Sequence, residues 1–167
     1  MGCDIHMYVE FCREPASDKP HWQTFGGQIY GSRDYDLFGK LAGVRTGEEP
    51  LFPVRGLPNH LGYEVMHDSI LYIDDERKDQ ERYCTLVQAE SWKKHGSKIE
   101  YKDGKPYTVT DPDAHTHSWL TTEEFLRVLM LPCEYGAREV KYSAILAAMQ
   151  EMERRGLSAR LVFWFDN

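Results

Sequence analysis

From Cys3 to Phe11 the apolar residues Cys3, Ile5, Met7, Val9 and Phe11 alternate with Asp4, His6, Tyr8 and Glu10. This period of two predicts a half-buried strand that carries Asp4 and His6 on one face. Towards the other end, Leu161, Phe163 and Phe165 alternate with Val162, Trp164 and Asp166, and a second strand of the same kind is expected. Side by side in one sheet, the two strands gather Asp4, His6, Tyr8, Trp164 and Asp166 on a rigid face suited to a precise site.

Between these strands the period changes to that of a helix. Leu37, Phe38, Leu41 and Val44 form one apolar stripe after Asp34, with Gly43 weakening the last turn. Thr121 and Glu124 make a capping box ahead of Phe125, Val128 and Leu129, and Pro132 stops that helix. A third helix is expected from about Glu139 to Arg155, with Tyr142, Ile145, Leu146 and Met149 facing inward and Gly156 as its left-handed terminal residue. Asp103-Gly104 predicts a peripheral, solvated hairpin near residues 98–110, one arm of which Pro106 makes an edge. Residues 46–83 are rich in Gly, Pro and charge, and read as long loops with short strands such as Tyr63-Glu64-Val65. The sum is an α+β fold: a single domain over residues 1–167, a mixed or antiparallel sheet holding the N- and C-terminal strands, about three helices packed on it, and long loops framing a pocket.

The length of 167 residues, with 41% hydrophobic and 13% aromatic residues, is enough for a sizeable core without disulfides or metal clips. A formal charge of -7 argues against coating long nucleic acid, which draws its affinity from dense Lys and Arg, but leaves room for a local basic pocket. Cys3, Cys12, Cys84 and Cys133 include no Cys-x-x-Cys pair, so reduced thiols are expected, with Cys3 a small core residue. Polar residues interrupt the N-terminal segment, no apolar run approaches the roughly 20 residues of a membrane span, and His6 stands where a myristoylation motif needs Ser or Thr. A soluble intracellular protein without a membrane partner is therefore expected. Repeats, heptads, Gly-rich phosphate loops and a Gly-x-Ser-x-Gly elbow are all missing, which removes solenoids, P-loop enzymes, Rossmann dehydrogenases and serine acyl transfer.

The densest chemistry lies in His115-Thr116-His117-Ser118-Trp119-Leu120. In an extended segment two imidazoles two residues apart point to the same side, where they can move protons or bind a metal, and the helix N-terminus that follows favours an anion beside them. Each histidine read alone is equally a surface or loop-capping residue. Asp4, His6, His115 and His117 are the candidate metal ligands, while Arg33, Arg45 and Arg55 offer planar forks for a phosphate, Arg55 being aimed by the turn of Gly56 and Pro58. Their bland alternatives are pairing with nearby acids and, for Arg45, with helix C-terminal carbonyls. Trp119 and Trp164 either stack on a base or fill core. This inventory fits acid–base cleavage of a phosphodiester by His6, His115 and His117, with Asp4 or Asp166 orienting an imidazole and an arginine holding phosphorane charge. No cofactor is needed for a ribose nucleophile, and a divalent metal is the rival.

Five blocks then carry a resemblance over nearly the whole chain: Met1-Gly2-Cys3-Asp4-Ile5-His6, Tyr35 to Arg45, Arg55-Gly56-Leu57-Pro58, His115 to Thr121, and Val162-Phe163-Trp164-Phe165-Asp166-Asn167. Together they resemble a family of small proteins encoded by bacteriophages and prophages. Relatives carry an acidic segment after Arg-Gly-Leu-Pro where this chain has Asn59-His60, so no role is placed there. Small phage proteins of this kind often counter host defence by cleaving or sequestering nucleotide immune signals. The resemblance thus implies a protein of the infected bacterial cytoplasm with a small nucleotide ligand: a phosphodiesterase acting on a cyclic oligonucleotide, a non-catalytic sponge for the same signal, or a metal-dependent hydrolase. A homo-oligomer that completes the pocket stays open.

Overall fold

The computed structural model describes residues 2–31, 33–132 and 140–166. Strand β1 (Asp4–Cys12) and the last strand, β9 (Ser158–Asp166), pair antiparallel along their full lengths, from Asp4 opposite Asp166 to Cys12 opposite Ser158. The two alternating segments are therefore neighbours, as their patterns predict. The other edge of β9 takes β8 (Ala114–Thr121), while β2 (Gln23–Thr24) and β3 (Ile29–Tyr30) share the outer edge of β1.

One face of this sheet is the main core. Ile5, Met7 and Val9 of β1 and Leu161, Phe163 and Phe165 of β9 pack under three helices: α1 (Tyr35–Ala42), α4 (Thr122–Met130) and α5 (Val140–Arg154). Asp34 caps α1 by accepting from the Leu37 amide, and Gly43 ends it in the left-handed region at φ 70°, where a side chain would be strained. Thr121 and Glu124 form the expected reciprocal box on α4. Gly156 (φ 79°) follows α5 as expected; the start near Glu139, and Cys133, lie outside the described residues. Cys3, Cys12 and Cys84 are buried free thiols.

The middle of the chain departs from expectation. Tyr63-Glu64-Val65 opens a helix, α2 (Tyr63–Ser69), in place of a strand, because Val65 is drawn wholly inside and Ser69 bonds back to the Val65 carbonyl. The hairpin is no appendage either. Its arms, β6 (Ile99–Lys102) and β7 (Lys105–Thr110), join β4 (Ile70–Ile73) and β5 (Tyr83–Cys84) in a second sheet of order β5-β4-β7-β6. The edge is β6, and β7 is internal; Pro106 is tolerated because it lies beyond the stretch of β7 that pairs with β4. Helix α3 (Leu86–Lys93), capped by Thr85 and Gln88, covers the far face around Ala89 and Val109.

A buried ion pair holds the loop 57–62 against the opposite face of the first sheet. Glu10 (0% exposed) and Arg160 (6%) are cross-strand partners 2.6 Å apart; Glu10 also accepts the Gly62 amide, and Arg160 donates to the Asn59 and His60 carbonyls under the Trp22 ring, 3.6 Å from its guanidinium. Removing one member leaves an uncompensated buried charge, whereas removing both does not. Arg160→Met is expected to cost about 3–5 kcal/mol in urea denaturation. The Glu10→Met/Arg160→Met double variant should lose less than the sum of the two single losses; simple additivity would mean that the pair is not coupled.

Candidate functional site

Trp164 is the centre of the sheet face turned away from α1, α4 and α5, where it packs with Tyr8, Val162 and Val65 of α2. It is 2% exposed and lies on the middle strand, so its neighbours come from both sides: His6 of β1 stacks on it at 5.5 Å with the rings 2° from parallel, and His117 of β8 at 5.9 Å and 28°. Tyr8 stacks diagonally at 5.4 Å. Two strand spacings, roughly 10 Å, thus separate His6 from His117, with the indole filling the space between them.

The start of β1 and the end of β9 form a charged corner. His6 donates from Nε2 to Asp166 at 2.9 Å, and its Nδ1 meets the Gln28 amide. Both ring nitrogens are therefore engaged. Arg33 forks onto Asp4 at 2.8 and 3.0 Å and holds its carboxyl below the usual range; both side chains are more than half exposed, so the pair contributes little stability. Arg45, expected at a phosphate or at helix carbonyls, reaches back to the Gly2 carbonyl at 3.4 Å and lies beside the Cys3 thiol, whose pKa burial raises.

His115 and His117 do not share a face as an extended segment would place them. His115 is opposite Phe165 and Ser118 opposite Phe163, so Thr116 and His117 together face the single residue Trp164: a β-bulge, with Thr116 at φ 54°. The extra residue breaks the alternation, and His115 stacks on Phe165 while His117 stacks on Trp164, consecutive residues on opposite faces of β9. Because β8 is the edge strand, both rings still border one cleft of about 560 Å³ between the two sheets.

The far wall of the cleft carries Lys98 and Glu100, and its rim is the strap 54–59, which Gly56 ties to β8 through the His117 carbonyl (2.9 Å) and Arg55 through the Ser118 hydroxyl (3.2 Å). Gly56 has φ 76°, in the left-handed region that favours glycine, and Lys98 Nζ is the one atom of the described residues that a Cβ there would approach, at 2.8 Å. The Nε2 atoms of both His115 and His117 are buried without a hydrogen-bond partner among the described residues. Burial first, then the charges of His115 and Lys98, push His117 down to about 4; burial and Arg45 lower His115 against an opposing pull from Asp166. The cleft thus presents two imidazoles in neutral form beside a lysine.

Arg55 is not free to grip a ligand. It lies 4.8 Å above the Trp119 ring and forks onto Glu124, the capping carboxylate of α4, whose pKa it lowers. Trp119 is partly buried with Tyr8, Val162 and Trp164, and so fills core. Among the described residues no three His, Cys, Asp or Glu side chains gather as metal ligands, so Asp4, His6, His115 and His117 do not fit the mixed metal site considered for them. A polar chain unseen in the sequence runs from Tyr8, whose hydroxyl donates to Asp68, to His67, which donates to the other Asp68 oxygen at 2.8 Å. Burial and that bond raise Tyr8; burial opposes, but the Tyr8 and His67 bonds win in lowering Asp68.

Comparison of the chain with protein-family models, curated proteins and solved structures gives no match. The neutrality of His117 has a measurable consequence. Its folded pKa of about 4 lies below the ordinary 6.5, so the unfolded chain takes up the proton first. The stability this provides is complete above pH 6.5 and is lost as pH falls towards 4, up to about 3 kcal/mol. Denaturation at several pH values should show this loss for the wild type relative to His117→Gln; parallel curves would refute it.

Proposed function

We propose that this protein binds a small phosphate-bearing ligand, a cyclic oligonucleotide immune signal, in the cleft of His115, His117 and Lys98, and holds it intact. What carries this reading is a cleft bordered by Lys98 and two histidines whose buried Nε2 atoms have no hydrogen-bond partner among the described residues. Such atoms are costly to bury unless something bonds to them. A phosphate oxygen does so by accepting from the Nε2–H tautomer of a neutral imidazole, and Lys98 adds the charge.

Cleavage asks for more than this arrangement supplies. Acid–base transfer needs one imidazole to be an acid at the working pH, and both cleft histidines are biased towards the base form. His6, the third proton-transfer candidate, is engaged at both nitrogens and stands beyond Trp164. The phosphodiesterase reading keeps one specific support: a neutral imidazole whose Nε2 has no partner among the described residues is suited to act as a general base. Service as a sponge inside an infected bacterium is what the phage-family resemblance adds.

The test is incubation of purified protein with cyclic di- and trinucleotides, with and without chelator, alongside His117→Ala. Intact ligand recovered only after denaturation, with retention weakened at least tenfold in the variant, is the expected result. Products lost in the variant would instead establish the phosphodiesterase, and products lost on chelation a metal hydrolase. No retention and no products would remove the nucleotide reading altogether.

A further inference from the structure

A second cavity of about 360 Å³ adjoins the histidine cleft, and the two share Leu57, Asn59, Lys98, Glu100 and Thr110 in their walls. Its other walls differ in character. Leu61, Met66, Ile70 and Tyr107 give it apolar surface beside His60 and Thr108, while the histidine cleft has the two imidazoles. One compartment suits an anion and the other a flat, weakly polar ring. Between them, Lys98 and Glu100 sit two residues apart, which puts their Cα atoms roughly 7 Å from each other on one side of the extended chain. Both are exposed, and neither ammonium nor carboxylate has an ion-pair partner among the described residues.

A lone carboxylate at the junction is unfavourable next to a phosphate, and it is useful only to a group that donates. Ionised, it offers acceptors alone, in a spacing that matches two adjacent N–H donors. Of the common nucleobases, guanine presents such a pair on its Watson–Crick edge, N1–H with the N2 amino group; adenine presents its amino group beside an acceptor nitrogen. The Asn59 amide, on the facing wall, has a donor for the guanine O6.

We propose that the second cavity is a nucleobase subsite and that Glu100 makes it select guanine, with the phosphate held at Lys98 and His117. This rests on the reading of the histidine cleft as a phosphate site. Met66 and Tyr107 supply the apolar and aromatic surface, and the strap between Leu57 and Leu61 is the rigid wall, held by the Glu10–Arg160 pair at one end and by β8 at the other.

Calorimetric titration of the full chain with pyrophosphate, 5′-GMP and 5′-AMP tests this. The wild type is expected to bind GMP roughly ten- to hundredfold more tightly than AMP, the range of discrimination from one bidentate base contact. Glu100→Gln, which replaces one acceptor with a donor, should bring that ratio near one, and Met66→Ala with Tyr107→Ala should weaken both nucleotides. Pyrophosphate binding without a GMP preference, or with a preference that survives Glu100→Gln, would overturn the base subsite and leave the phosphate cleft standing. Binding of none of the three probes would overturn both.

Discussion

The structure depends on one buried charge pair. Glu10 and Arg160 face each other across β1 and β9 with almost no solvent, and a pair so placed is tolerated only if every remaining donor and acceptor is used. The requirement reaches beyond the pair. Glu10 takes the Gly62 amide and Arg160 takes the carbonyls of Asn59 and His60, so a loop that its own Gly and Pro content would leave adaptable is held on the sheet. Gly62 is also the N-cap of α2, and where α2 begins decides where Asp68 meets Tyr8 and where Met66 lines the second cavity. A side chain at Gly62 would collide with Glu10 itself, its Cβ 2.7 Å from the carboxylate oxygen. The cleft wall is in this sense a by-product of satisfying two buried ions.

What could be read from the chain alone was what local rules govern. The alternation in β1 and β9, the Asp34 cap, the Thr121–Glu124 box and the left-handed Gly43 and Gly156 each follow from a few consecutive residues, and each is present. The same rules show Asp4, His6, Tyr8, Trp164 and Asp166 on one face. They fail at β8 because nothing in His-Thr-His marks a bulge: Thr116 at φ 54° is an unfavourable choice for a β-branched residue, imposed by the surroundings. They fail at Tyr63-Glu64-Val65 because β propensity yields to tertiary burial. The partners of Arg33, Arg55 and Arg160 lie 29, 69 and 150 residues away along the chain, distances at which spacing carries no information.

The bulge also explains why an His-x-His motif here differs from a metal or proton-relay pair. In a regular strand the two rings would lie side by side on one surface and share a ligand. With one residue inserted they stack against Phe165 and Trp164, which gives each ring a rigid, dry backing and lowers its affinity for a proton. The geometry trades a joint site for two separately oriented, neutral imidazoles at the mouth of one cleft.

Trp164 completes that separation. On one flank His6 sits in a charged, partly solvated corner with Asp166, Asp4 and Arg33; on the other His117 borders a cleft lined by Lys98, Glu100 and the Glu124-paired Arg55. A catalyst that used both flanks would have to pass its substrate through the indole, which is buried and stacked on three rings. A binding site needs only one flank, and for it the indole is an asset, because a large immobile ring keeps the imidazole of His117 at one angle without any hydrogen bond to Nε2. The buried nitrogen has no partner among the described residues, and the ring's orientation is fixed before any ligand arrives.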